Sequence, residues 1–191
     1  MDKFARIVVG YHGCSRQFAH DILLGTRPIA DWELSENAYD WLGKGIYFWE
    51  HSPERALRWA QTKYPGDFSV VGAIIQLGRC FDLMDETSTL ILKDSYKAFE
   101  SSFVEVKEAL PRNEGRQSKL RKLDCAVIND CIDQLRGRNI IYDTVRGAFL
   151  EGEPIFDGTS ISSETHIQIA VRNIDLILGV FRPNLETNWT L

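Results

Sequence analysis

The chain has 191 residues, 44% of them apolar and 26% charged, with a net charge of −5. This suits one folded domain over residues 1–191 with a sizeable core, and argues against a surface that coats nucleic acid broadly. No apolar run nears the roughly 20 residues that cross a bilayer, and the first residues carry no signal-like segment, so the expectation is a cytoplasmic protein with no membrane partner. Cys14, Cys80, Cys125 and Cys131 form neither a C-x-x-C pair nor a zinc spacing and read as reduced thiols. His12, His20, His51 and His166 lack paired ligand spacing, so no metal is expected.

In chain order, residues 4–11 read as a β-branched strand. Ser15 is placed to cap a helix running to Leu24, with Gly25 at its left-handed end. Residues 26–42 lack periodicity and read as a loop. Gly45 to Trp49 reads as a short strand. Ser52 as cap, Pro53 in first position and Glu54 at the positive end open the next helix, whose inner face is Ala56, Leu57 and Ala60. Residues 69–77 are the most apolar strand and are expected at the centre of the sheet, followed by a short strand at 80–84.

From 94 to 110, Tyr96, Phe99, Phe103, Val106 and Leu110 recur at helical spacing and predict a core face. Residues 112–122 form a polar loop carrying Arg112, Arg116, Lys119, Arg121 and Lys122, and a helix is expected over 124–135. Ile140, Ile141 and Tyr142 read as a strand, and Arg146 to Phe149 lead into a long loop, 150–164. His166–Val171 alternates polar and apolar residues, as a strand with two unlike faces does. Residues 176–181 close the sheet. The order predicts an α+β domain with much antiparallel pairing.

Two stretches point to chemistry. His12-Gly13 lies between a strand and a helix, where a glycine permits close backbone approach and an imidazole can bond a hydroxyl or an amide. Gly43-Lys44-Gly45-Ile46-Tyr47-Phe48 puts two glycines before an aromatic strand, and neither phosphate-loop spacing is present. Either stretch alone would equally suit an ordinary turn or a packed core. Together, Tyr11-His12-Gly13, Gly43 to Phe48 with the Ser52 to Trp59 helix, and the strand from Glu164 to Ile169 resemble the ADP-ribosyltransferase fold family. The branch resembled is that of poly(ADP-ribose) polymerases and diphtheria toxin, over residues 8–172.

The resemblance implies a split antiparallel β-core flanked by helices and an NAD co-substrate. It implies that His12 bonds the adenosine-side ribose, that the Gly13 backbone pairs with the nicotinamide amide and that Tyr47 stacks on the ring. Gly45, Ser15 and His166 are further NAD-binding candidates, as are Asp40 and Arg16 by proximity. The third motif departs from the family, which places a glutamate there. Gln168 is the first choice, Glu164 the second and His166 the third. Gln168 can bond a ribose hydroxyl but carries no negative charge.

The implied activity is mono-ADP-ribosyl transfer to a protein, RNA or DNA acceptor by a toxin-like or defence enzyme, with a cognate antitoxin as partner. A catalytically silent NAD- or ADP-ribose-binding module and an NAD glycohydrolase are the alternatives. The loop 150–164, with Glu151, Glu153, Asp157, Ser160 and Ser162, occupies the family's acceptor-recognising position. The basic stretch 112–122 is a candidate contact for phosphates or an acidic partner.

Overall fold

The computed structural model describes residues 6–115 and 119–185. Phe4 and Ala5 of the expected first strand, and Arg116 of the basic loop, lie outside the described residues. Seven strands form one sheet: β1 (Ile7–Ser15), β2 (Ile46–Glu50), β3 (Phe68–Gln76), β4 (Cys80–Asp82), β5 (Thr144–Phe149), β6 (His166–Val171) and β7 (Ile177–Phe181). Their order is β4-β5-β6-β2-β1-β3-β7, and every pairing is antiparallel except β4 with β5. Four helices complete the α+β fold: α1 (Arg16–Leu24), α2 (Pro53–Lys63), α3 (Glu86–Val106) and α4 (Lys122–Gly137). Among the described residues, no helix is long and apolar enough to cross a membrane.

Registered partners share a face of the sheet. On one face Val8, Phe48, Val71, Ala73, Ile75, Ile169 and Val171 pack with Ala19 and Ile22 of α1 and with Trp32. The other face is covered twice. Ala56 of α2 packs with Val70 and Trp49, while Ile128, Cys131 and Ile132 of α4 pack with Phe81, Val145, Phe149 and Ala170. Burying each large apolar side chain contributes about 1.5–3 kcal/mol.

Local signals set several boundaries. Ser15 caps α1, its hydroxyl accepting from Phe18 N at 3.2 Å, and Gly25 closes the helix at φ 73°. Ser52 differs from expectation: its side chain makes no capping bond, and Pro53, which has no N–H to satisfy, starts α2 without one.

Three larger expectations are corrected. The apolar strand β3 is next to the edge, and β2 is the middle strand; β3 reads as central because α1 covers one of its faces and α2 the other. Ile140 to Tyr142 form no strand. Asn139 is left-handed at φ 62°, and Ile140 N bonds Leu135 O at 2.9 Å, so these residues finish α4, and β5 begins at Thr144. The aromatic stripe of α3 is not a core face. Ile91 and Leu92 pack toward α4, but Phe99 and Phe103 are only half-buried against each other, 4.8 Å between ring centres, and Val104 and Val106 are exposed. Helical spacing shows that a stripe exists, not that a layer covers it.

Candidate functional site

β1 and β2 are registered partners at only two pairs, Gly10 with Glu50 and Tyr11 with Trp49. Beyond them β1 continues along β3 to Ser15, and β2 runs along β6 from Ile46. The two strands therefore part at His12 and Phe48. In an antiparallel ladder a residue sends its N–H and C=O to one neighbour, and the side alternates along the strand. Arg6 O accepts from Leu77 N at 2.8 Å and Arg16 N donates to Asp67 O at 3.2 Å, so the even residues face β3. The odd residues face β2, as Val9 does in accepting from His51 N at 3.1 Å. By this alternation Gly13 aims its backbone donor and acceptor into the gap.

A cavity of about 750 Å³ opens there, lined by the parted strands, by α2 and by the loops around Asp40, Lys119 and Glu164. Of the residues singled out from sequence, His12, Gly13, Asp40, Gly45, Tyr47, Glu164 and Gln168 line it. Ser15 and His166 do not. The Ser15 hydroxyl is engaged as the α1 cap, and the His166 side chain is wholly buried behind the wall. Arg16 is exposed at the start of α1 and is also absent from the lining.

His12 packs among Phe18, Trp32 and Phe48, with ring centres 6.0, 4.9 and 5.7 Å away. Its Nδ1 is 2.8 Å from Tyr47 O. A carbonyl can only accept, so Nδ1 carries the proton and Nε2 is left as an acceptor. Burial pulls the pKa of His12 down to about 4, which keeps the ring neutral. The Tyr47 hydroxyl donates to Gly43 O at 2.6 Å and accepts from Leu42 N at 2.8 Å, and burial raises its pKa well above the ordinary value. With the hydroxyl occupied, what Tyr47 offers the cavity is its ring.

The glycines have packing reasons that the sequence did not reveal. A Cβ on Gly13 would lie 2.5 Å from Ala56 O, and one on Gly45 would lie 2.9 Å from the Ala170 Cβ. Gly13 thus lets α2 approach β1, and Gly45 lets the turn approach β6. Gly43 has φ 72°, and its missing side chain leaves room for Asn129, whose Oδ1 accepts from Lys44 N at 2.9 Å.

At the third motif, Gln168 is registered with Trp49 and is 8% exposed. Its Nε2 is 3.0 Å from His166 Nε2, and His166 Nδ1 is 2.9 Å from Glu164 O. Burial lowers the pKa of His166. Glu164 does not stand free: its carboxylate meets Arg55 Nη1 at 2.9 Å, and that guanidinium holds its pKa below the usual range. Arg55 Nη2 pairs with Glu151, which also meets Lys119 Nζ at 3.3 Å. One arginine of α2 therefore ties both ends of the loop 150–164.

Sequence reasoning missed Arg55, Arg58, Trp59 and Lys63, which line the cavity from α2. The signal was available for Arg55 and Arg58, which lie off the Ala56 and Ala60 face that packs on the sheet, whereas Trp59 and Lys63 stand three residues from those alanines on the edge of that face. Trp41 was missed as well. It lines the cavity, bonds Lys119 O through its indole N–H at 2.9 Å, and carries the Arg121 guanidinium 4.3 Å above its ring. The arrangement combines neutral acceptors at the floor, an aromatic wall, the cations Arg58 and Lys63 on α2, and the carboxylates Glu33, Asp40, Glu151 and Glu164, the last two paired with Arg55. These groups offer acceptors to a hydroxyl, a ring face to a flat group and two cations to an anion. Among the described residues, no group of three or more His, Cys, Asp or Glu is placed to hold a metal. Comparison of the chain with protein families, curated proteins and solved structures found no match.

Proposed function

We propose that this protein is an NAD-dependent mono-ADP-ribosyltransferase acting on a macromolecular acceptor, protein or nucleic acid, with release of nicotinamide. The observation that carries the reading is the opened ladder between β1 and β2. It leaves the Gly13 backbone pair beside Tyr47 at the floor of a cavity large enough for a dinucleotide. A carboxamide needs one donor and one acceptor side by side, and Gly13 supplies both. His12 Nε2 and Gln168 suit ribose hydroxyls, and Arg58 and Lys63 suit a diphosphate. Donors and acceptors held in place stabilise charge developing at the glycosidic carbon better than mobile water does. A cytoplasmic setting is part of the proposal and is supported by four free thiols.

The test is nicotinamide release from NAD, followed by chromatography, with protein, RNA and DNA offered as acceptors. Wild type should release nicotinamide and Tyr47→Ala should not. No turnover with any acceptor sinks the transferase reading. A second reading, a silent NAD-binding module, is favoured by the neutrality of Gln168 and by the tie of both Glu151 and Glu164 to Arg55. Calorimetric binding of NAD without nicotinamide release would support it. Free ADP-ribose as the sole product would mark a glycohydrolase.

A further inference from the structure

We infer that His166 is a positioning residue that turns the Gln168 amide so that its oxygen, not its nitrogen, faces the cavity. The chain of contacts begins at Glu164 O, a carbonyl that can only accept. His166 Nδ1, 2.9 Å away, is then the donor. Arg55 Nη2 also lies near this nitrogen, at the longer distance of 3.2 Å, but a bare Nδ1 accepting from it would turn a lone pair on the closer Glu164 O. A neutral imidazole with its proton on Nδ1 has a bare lone pair on Nε2. The Gln168 group 3.0 Å from that lone pair must donate, so it is the NH2. The Oε1 is left on the other side, in a residue that lines the cavity, and among the described residues the Gln168 side chain has no second hydrogen bond.

The consequence is specific to this chain. The cavity floor presents a carbonyl-type oxygen where a carboxylate oxygen would otherwise stand, with the same capacity to accept from a hydroxyl and no full charge. A glutamine free to rotate would offer NH2 half the time and lose that selectivity. Together with His12 Nε2, the floor then offers two acceptors and selects a ligand rich in hydroxyl donors. The orientation follows from the contacts alone, while its bearing on ligand binding rests on the NAD reading above.

Long-range proton–nitrogen NMR of the imidazoles in the full chain, with the His166 signals assigned from His166→Asn, tests the orientation. Wild type should show His166 protonated at Nδ1 with a free Nε2. In Gln168→Glu the carboxylate has no proton to donate, so Nε2 should gain one while Nδ1 keeps its bond to Glu164 O, giving a doubly protonated ring. An Nε2–H, Nδ1-bare form in wild type, or a bare Nε2 retained in Gln168→Glu, overturns the proposal. Calorimetry with NAD supplies the functional arm: His166→Phe keeps a ring but gives Gln168 no acceptor, and should weaken binding about tenfold. Unchanged affinity in His166→Phe overturns the positioning role. Absence of NAD binding in wild type overturns the NAD reading instead, and the tautomer still decides the orientation.

Discussion

Replacing Tyr47 with phenylalanine separates the two roles that this residue holds. The hydroxyl bridges Leu42 N and Gly43 O at 2.8 and 2.6 Å, and Leu42 is completely buried. Removing it costs two hydrogen bonds and leaves a buried donor and an acceptor without this partner, about 2–4 kcal/mol in all. For a domain of this length each kcal/mol lowers the midpoint by about 2–4 °C, so Tyr47→Phe should melt about 9 °C below wild type. The ring stays, and nicotinamide release below the melting range should stay within about threefold, since the hydroxyl faces the turn and not the cavity. Differential scanning calorimetry and the release assay on the same sample read both quantities. An unchanged midpoint refutes the bridging argument. An unchanged midpoint with activity abolished would show that the hydroxyl acts on the ligand and that the geometry has been misread.

Two further outcomes follow from charges. His12 has a folded pKa of about 4 against 6.5 when exposed, so the unfolded chain binds the proton first as pH falls. The stability it contributes is complete above pH 6.5 and is lost as pH drops from 6.5 toward 4. Urea titrations near pH 7.5 and 5 should show wild type losing about 2 kcal/mol more than His12→Gln, and equal losses would refute the buried neutral imidazole. Arg55→Met removes the tie between Glu151 and Glu164, so chymotrypsin should cut after Phe156 about tenfold faster. An unchanged cutting rate would show that the loop is held by its other contacts.

Much of the fold was legible because local chemistry agreed with the tertiary result. Ser15 and Gly25 bracket α1 as their residue types suggest, and the alternation of His166 to Val171 marks β6. The failures share one cause, which is that neighbours distant in sequence decided them. Ile140 and Ile141 have strand-forming side chains, yet a left-handed Asn139 places them in the turn that ends α4. Phe99 and Phe103 carry a helical stripe, yet among the described residues no second layer buries them. At the site, the residue types of His12, Gly13 and Tyr47 were readable, but the reasons for the glycines were not. Those depend on Ala56, Ala170 and Asn129, none of them within 40 residues of the glycine it constrains. Gly43 illustrates this, since Asn129 reaches it from α4.

The parting of β1 from β2 also has a mechanical meaning. The sheet is two half-sheets, β4-β5-β6-β2 and β1-β3-β7, sewn together along a short seam of two registered pairs and the bond from His51 N to Val9 O. α4 packs on the first half, while the cores under α1 and α2 reach across the seam, to Phe48 and Ile169 and to Trp49. Few backbone bonds cross the seam, so the two halves are joined there by side-chain packing more than by a ladder. A ligand that touches Gly13 on one half and Gln168 on the other therefore spans the line where the ladder is shortest, and should stiffen the protein by adding polar bonds across a joint held mainly by packing.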